Sequence, residues 1–391
     1  MMRSAQRFFC FIVVCLLLVP GSSLRAGEAI ILIDAEFGIP TSTSAQAIEL
    51  GARIAADEVN ESGFLGDIRL TIRTSDNRGI PAIAVDNFNE AVNDPAIIAV
   101  MGGKLSPPQM EVLAHSARHG VMLLNAWGSS DGLIDNGLNP NWAFRLSLRD
   151  EFAAQAFLRE AKQRGAKKIG LLLLNTAWGR SNLSALEREA AVAGMTITGT
   201  GWLNSGDRSF IGLYRGLIET GAEIVILVAN EVEGALLINE LAAQDEKVKR
   251  PILSHWGITG GDFVRLAKGA IDKVDISAIQ TFSFHKPRNQ KAETLLGHVV
   301  ERTASKQIAD IQSPVGIAQA YDLTWLVAHA IGKVGSINRR KLRDAMLDLP
   351  PFDGAVRFYE KPFSPQRHEA LSLSEVFFVR YDKEGGLVPI E

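Results

Sequence analysis

Two successive runs of alternating strand and helix patterns most constrain the fold of this chain of 391 residues. The first run spans residues 29–124 and opens on an unbroken apolar segment, followed at 45–60 by a helical pattern with one apolar stripe. The second run spans residues 150–254 and repeats this rhythm. Strands without polar alternation are typical of parallel sheets covered by helices on both faces. The pattern therefore predicts an α/β fold with two lobes of similar size.

The C-terminal part of the chain contains too few strand patterns to build a third sheet. Strands are predicted at residues 278–284, 356–359 and 375–381, and helices at 290–307, 315–332 and 338–349. We expect these pieces to complete the two sheets, so the chain must cross between the lobes more than once. Repeated crossings of this kind form a hinge.

The first 26 residues have the pattern of a signal peptide. Two arginines precede an apolar run at residues 8–19, and Ala26 supplies a small residue for cleavage. The run is too short to span a bilayer as a helix. Cys10 and Cys15, the two cysteines of the chain, lie inside this segment and lack the setting of a lipoprotein cysteine. We therefore expect an exported, soluble protein that is not a lipoprotein and has no disulfide.

The charge of the chain excludes one class of partner. The net charge is −3, and removal of the three arginines of the signal peptide lowers it to −6. Nucleic-acid binding needs a basic excess that neutralises phosphates. We therefore expect no nucleic-acid partner.

The motifs of known catalytic and cofactor sites are absent or incomplete. Residues 128–132 (GSSDG) fit the G-x-S-x-G pattern of serine hydrolases, but turn-forming residues follow where a helix is required. His115 and His119 are spaced like zinc ligands, but the segment HSARH lacks the glutamate of the zinc-protease motif. No phosphate-binding loop or dinucleotide fingerprint occurs. We expect no enzyme activity, metal or cofactor, and keep a hydrolase that uses Ser129 or Ser130 as an alternative.

Polar loops follow the predicted strands in both runs. They comprise residues 37–44, 102–108 and 125–131 in the first run, and 176–179, 230–231 and 255–257 in the second. Ligands of open α/β sheets bind beyond the carboxyl ends of the strands. Hydroxyl groups and the N–H groups at helix starts suit an anion such as a carboxylate, although the same residues are also common in ordinary loops and helix caps.

Short motifs along residues 29–360 occur in the order and spacing of one known family. They are GARIAADEVN at 51–60, Asp76, GGKLS at 102–106, FR and RD within 144–150, WG at 178–179 and FDG at 352–354. In these the chain resembles the type I periplasmic binding proteins of the Leu/Ile/Val group, which are solute receptors of ABC importers. The resemblance implies two Rossmann-like lobes that close like a Venus flytrap and are joined by three crossovers. The implied lobes are residues 27–146 plus 283–354 and residues 147–282 plus 355–391.

The resemblance also implies which residues contact the ligand. Ser106 matches the family's carboxylate-binding serine, and Ser129 matches the hydroxyl residue after the fourth strand. Trp178 stands where the family has a tyrosine that closes over the ligand. The remaining predicted ligand-binding residues are Ser44 in the first loop, Lys104, the neighbours of Ser129 (Trp127, Gly128 and Ser130), Asn230 and Trp256.

Trp256 falls where the family has the acid that pairs with the ammonium group of an amino acid. A buried ammonium group without an acid is costly, so we do not expect an ordinary α-amino acid as the ligand. The aromatic residues favour a small aromatic or apolar carboxylate. Its acid group would be held by the serines, with Lys104 as a possible counter-charge. If the alignment slips here, Glu231 or Asp262 could supply the missing acid.

The resemblance implies a function in solute capture. A monomer would close its two lobes on a small ligand and deliver that ligand to the membrane permease of an ABC transporter. A periplasmic sensor subunit that passes lobe closure to a signalling partner is the first alternative, because fold alone does not separate the two functions. The serine hydrolase is the second alternative.

Overall fold

The computed structural model describes residues 27–267 and 269–390 of the chain. The predicted signal peptide lies outside the described residues. Two main sheets form the centres of two lobes. Within the described ranges, no helix combines the length and the apolar content that crossing a membrane requires.

The sheet of the first lobe is entirely parallel and is built from the first part of the chain. Its strands are β1 (Gly27–Ala35), β2 (Ile68–Asp76), β3 (Ile97–Gly102), β4 (Met122–Asn125) and β5 (Ala143–Arg145), in the order β2-β1-β3-β4-β5. The helices that alternate with them are α1 (Ser44–Glu61), α2 (Pro81–Ala91) and α3 (Ser106–His119). Every residue of β3 and β4 is buried, because helices cover both faces of the sheet.

The sheet of the second lobe has seven strands. They are β6 (Lys168–Leu174), β7 (Thr196–Leu203), β8 (Ile224–Val228), β9 (Ile252–Ser254), β10 (Ile276–Gln280), β13 (Phe377–Tyr381) and β14 (Leu387–Pro389). The order is β14-β13-β10-β9-β8-β6-β7, and β13 pairs antiparallel with both of its neighbours. The helices are α4 (Asp150–Gln163), α5 (Ala177–Ala193), α6 (Ile211–Glu219), α7 (Glu231–Ala242) and α8 (Phe263–Ala267).

The chain passes between the lobes three times, after β5, after β10 and before β13. Between the second and third passages lie α9 (Gln290–Thr303), α10 (Pro314–Val334), α11 (Arg339–Met346) and a hairpin of β11 (Phe352–Asp353) and β12 (Phe358–Tyr359). The long helix α10 packs directly on α1. Their backbones approach so closely at Gly51 that a side-chain carbon there would come within 2.0 Å of the Ile317 carbonyl oxygen. The fold is therefore the predicted two-lobed α/β arrangement.

A buried carboxylate ties α10 to the hairpin at these crossings. Asp322 is fully buried and accepts hydrogen bonds from the N–H groups of Ala355 (2.6 Å) and Val356 (2.9 Å) and from the hydroxyl of Tyr359 (2.8 Å). Burial raises the pKa of Asp322 to about 7, although these three donors lower it. Gly354 leaves the room for this carboxylate, because a side-chain carbon there would lie 2.4 Å from one of its oxygens.

The structure differs from the predicted elements mainly where segments are short. The three-residue strands β5 and β14 were not predicted, because so few residues carry no readable periodicity. The helix predicted at 290–307 ends at Thr303, since Ala304 takes a left-handed conformation with φ of 53°.

Candidate ligand-binding cleft

A cavity of about 420 Å³ lies between the facing carboxyl ends of the two parallel sheets. The first lobe supplies the segments after β1, β2, β3 and β4, and the second lobe supplies those after β6, β7, β8 and β9. This is the edge at which open α/β sheets bind ligands. The volume falls within the usual range for small-molecule sites.

Six of the ten predicted ligand-binding residues line this cavity. They are Lys104, Ser106, Ser129, Trp178, Asn230 and Trp256. The other four do not line it and are buried behind the lining: Ser44, Trp127, Gly128 and Ser130. The structure thus brings together residues from both lobes that are up to 152 positions apart, as from Lys104 to Trp256.

Three of the four residues behind the lining, Ser44, Trp127 and Gly128, contact neighbours that reach the cavity. Ser44 donates a hydrogen bond to the carboxylate of Glu36, which itself lines the cavity. Trp127 packs edge to face on Trp256, with ring centroids 6.0 Å apart. A side-chain carbon at Gly128 would lie 3.2 Å from the hydroxyl oxygen of Ser106, so glycine leaves that serine its space.

The loop after β4 is held in place by a buried arginine. The Arg145 guanidinium donates to the carbonyl oxygens of Ser129 (3.2 Å) and Ser130 (2.9 Å) and pairs with Glu369 at 2.6 Å. Its side chain has no exposed surface. The FR motif at 144–145 therefore fixes the position of Ser129 rather than touching a ligand.

The start of α3 has fewer free N–H groups than the sequence analysis assumed. The helix begins at Ser106, and Pro107 and Pro108 follow in its first turn. Proline has no N–H group, so two of the donors that a helix start usually presents are missing. The Ser106 hydroxyl oxygen accepts a hydrogen bond from the Ser130 N–H at 3.3 Å, which leaves its own proton free to donate.

A buried ion pair joins the two lobes across the cleft. The Lys104 ammonium nitrogen lies 2.7 Å from a carboxylate oxygen of Glu231, and both side chains are 4% exposed. Thr41 donates to the other oxygen of Glu231 at 3.2 Å. Of the two acids considered as replacements for Trp256, Glu231 lines the cavity, whereas Asp262 lies outside its lining and pairs with Arg265.

Two further acids in the lining were missed by the sequence analysis. Glu36 is 1% exposed, and Lys104 donates its backbone N–H to it at 3.3 Å. Glu233 is 7% exposed and accepts from the Ser205 hydroxyl at 2.8 Å. Only their positions in the sequence could have indicated these two acids as lining residues. Glu36 directly follows β1, and Glu233 lies in the first turn of α7.

The lobes are closed around the cavity. The Thr43 N–H donates to the Gly260 carbonyl and the Asp262 N–H donates to the Thr41 carbonyl, both at 2.9 Å. At the other end of the cleft, the Trp178 indole N–H donates to the hydroxyl oxygen of Ser129 at 2.8 Å. Hydrogen bonds thus cross between the lobes at both ends.

The serines of the GSSDG segment are not arranged as a nucleophile with its base. Ser129 accepts from Trp178, and Ser130 is buried without a side-chain partner among the described residues. Within the same part of the chain, no histidine nitrogen hydrogen-bonds to either hydroxyl. A three-residue helical turn at Asp131–Leu133 follows them in place of a helix. The described residues also contain no group of three or more potential metal ligands.

Comparisons with known proteins agree with this architecture. A family model described as periplasmic binding protein matches residues 38–386. The Leu/Ile/Val-binding protein homolog 3 of Brucella melitensis is 23% identical over 57% of this chain and 60% of its own length, which is less than two thirds. The Leu/Ile/Val-binding protein homolog 1 of Brucella abortus is 22% identical over 80% of each chain.

Solved structures share the same fold. A periplasmic binding protein type 1 from Bordetella pertussis superimposes with a TM-score of 0.83 at 18% identity, over 93% of this chain and all of the other. A solute-binding protein of an ABC transporter from R. palustris, solved with 4-hydroxybenzoate, gives 0.78 at 15% identity, over 93% and 96%. With the family model covering most of the chain, this protein belongs to the periplasmic binding protein family and is of the Leu/Ile/Val-binding type.

Proposed function

We propose that this protein is the solute receptor of an ABC importer, which encloses a small ligand between its lobes and presents it to a membrane permease. The observation that carries the proposal is the cavity itself. It is walled by loops of both lobes and crossed by a buried ion pair between Lys104 and Glu231. A ligand that touches both walls stabilises the closed state over the open one.

The three crossings supply the hinge that this cycle needs. We assign residues 27–146 plus 283–354 to the first lobe and residues 147–282 plus 355–391 to the second, except that β12 pairs with β11, and Glu369 with Arg145 of β5, on the side of the first lobe. One copy of the chain supplies both walls, so a monomer suffices for binding. The permease would then recognise the closed shape, and no bond is made or broken.

The ligand proposed from the sequence is a small aromatic or apolar carboxylate. Trp178 and Trp256 form apolar walls, and the hydroxyls of Ser106 and Ser129 can donate to an acid group. The R. palustris relative with 4-hydroxybenzoate is compatible with such a ligand. The proposed counter-charge is engaged elsewhere, however, because Lys104 pairs with Glu231.

Thermal unfolding of residues 27–391 against two panels tests ligand capture. One panel holds α-amino acids, and the other holds aromatic and aliphatic carboxylates without an amine. Selective binding to the folded state raises the unfolding midpoint by mass action, with about 2.7 kcal/mol of added stability at a ligand concentration of 100 Kd. A shift with carboxylates alone supports the proposed ligand, whereas a shift with neutral α-amino acids contradicts it.

Delivery to a permease is tested separately. Cells that lack this protein should lose uptake of a radiolabelled form of whichever ligand the panels identify, and the intact chain should restore it. Unchanged uptake in the deletion strain, with binding intact in vitro, would favour the sensor function over import.

A further inference from the structure

The cavity has more buried negative charge than buried positive charge. Three carboxylates line it, those of Glu36, Glu231 and Glu233, and each of these residues is at most 7% exposed. Lys104 supplies the one buried ammonium group of this lining, and it pairs with Glu231. Arg78 also reaches the lining, but its side chain is 71% exposed and its charge is screened by water.

Glu36 and Glu233 are the two acids that this distribution leaves without a cation, and Glu36 is the more deeply buried of them. Its Oε1 atom accepts hydrogen bonds from the Ser44 hydroxyl and from the Lys104 N–H. Among the described residues, no side chain or backbone group donates to Oε2, and no side-chain nitrogen of a lysine, arginine or histidine lies within 4.0 Å of either oxygen. Gly103 leaves space for Oε2, since a side-chain carbon there would lie 2.2 Å away.

This arrangement is costly in the closed protein. A buried carboxylate loses the hydration that stabilises its charge, and hydrogen bonds to a hydroxyl and an N–H group replace it only in part. A ligand carboxylate in the same cavity would add a further negative charge. A positively charged group near Glu36 would reduce the excess and strengthen lobe closure.

We propose that Glu36 determines ligand specificity by binding a protonated nitrogen, and that the ligand is an apolar amine without a carboxylate. This inference rests on the proposed function and changes the headgroup chemistry expected from the sequence. The two tryptophans hold the apolar body, and Glu233 on the opposite wall adds to the negative potential. The recognising acid follows β1 in the first lobe rather than standing at Trp256 in the second.

Three probes of equal ring size separate the headgroups: benzylamine, benzamide and benzoate. Their affinities for residues 27–391 are measured by calorimetry, with isoamylamine as an aliphatic amine. We expect benzylamine to bind more tightly than benzamide or benzoate. In the Glu36→Gln variant, benzylamine should bind about 10- to 100-fold more weakly, as expected for loss of a charged hydrogen bond.

The same variant carries an internal check against misfolding. Removal of the Glu36 charge should tighten benzoate binding, which a damaged protein would not do, and should leave benzamide nearly unchanged. Glu111→Gln, an exposed glutamate on α3, serves as the matched control and should alter no affinity.

Several results would overturn the inference. These are equal benzylamine affinities for the wild type and Glu36→Gln, tighter binding of benzoate than benzylamine to the wild type, or no binding of either amine. Benzoate binding without amine binding would reject the role of Glu36 while leaving solute capture in place. Failure of these probes and of both wider panels would count against both proposals.

Discussion

The cleft and the crossover region, which is α10 with the β11–β12 hairpin, each bury a carboxylate. The two carboxylates differ in their hydrogen-bond donors. Asp322 accepts three hydrogen bonds, so both of its oxygens have donors within the protein. Glu36 has its two donors on one oxygen, and no described group donates to the other. The first arrangement satisfies the acid and joins α10 to the hairpin. The arrangement at Glu36 leaves one carboxylate oxygen that can accept a hydrogen bond from a ligand.

The difference indicates how to separate structural from functional buried charge in this fold. A structural acid has its partners on elements of the same lobe, as Asp322 has on the hairpin that packs beside α10. The charged groups of the cleft have their partners on opposite lobes, as Lys104 and Glu231 do, or lack a cation, as Glu36 does. Changes in the crossover region should therefore alter the free energy of unfolding, and changes in the cleft should alter ligand affinity.

The largest expected effect comes from Lys104→Met. This change removes the ammonium group and leaves Glu231 buried without its cation when the lobes close. Breaking a buried pair on one side costs about 3–5 kcal/mol, so ligand affinity should fall about 150- to 4000-fold. Calorimetry with the tightest ligand from the panels measures this loss.

A double variant is the control for that prediction. Lys104→Met combined with Glu231→Gln removes both charges and should recover most of the lost affinity, since no uncompensated charge remains. If the double variant binds as weakly as the single one, the lysine contacts the ligand directly and the comparison between the two regions is wrong on this point.

The lobes and their crossings could be predicted because long periodic segments carry a clear signal. Apolar strands and one-sided helices are visible over ten or more residues, and motif order pointed to the family. Six lining residues were predicted, since loops that follow parallel strands meet at one edge. Pairing across the cleft could not be predicted, because whether Lys104 meets Glu231 or a ligand depends on how two distant loops approach. Glu36 was overlooked for the same reason, since its burial arises only when Ser44 and Gly103 surround it.

The second prediction concerns pH and the crossover region. The pKa of Asp322 is about 7 in the folded protein, above its ordinary value of 3.8, so the unfolded chain releases this proton first as pH rises. Its contribution to stability is therefore complete below about pH 4 and is lost between about pH 4 and 7. The rise in the pKa of Asp322 from 3.8 to about 7 corresponds to about 4 kcal/mol in the free energy of unfolding.

Asp322→Asn isolates this contribution, because asparagine does not titrate. The free energy of unfolding of both proteins is measured with denaturant at a series of pH values. Between pH 4 and 7 it should fall more steeply with pH for the wild type than for the variant. Above pH 7 the two plots of this free energy against pH should be parallel. Ligand affinity of the variant should match the wild type. Parallel curves over the whole range would show that Asp322 keeps its ordinary pKa and stays ionised.

The smallest expected effect belongs to Trp178→Phe, which tests the aromatic end of the cleft. The change keeps a ring but removes the indole N–H that donates to Ser129 across the cleft and to Asp150 at 3.2 Å. A net loss of about 1 kcal/mol corresponds to an affinity about 5-fold lower.

Trp325→Phe is the matched control, because its indole N–H donates to Glu58 at 3.1 Å within the first lobe. That variant should lower the unfolding midpoint and leave affinity unchanged. Equal losses of affinity in both variants would mean that removal of either tryptophan acts through general packing. Aromatic residues of the cleft and of the first-lobe interior would then not differ in their effect on ligand affinity.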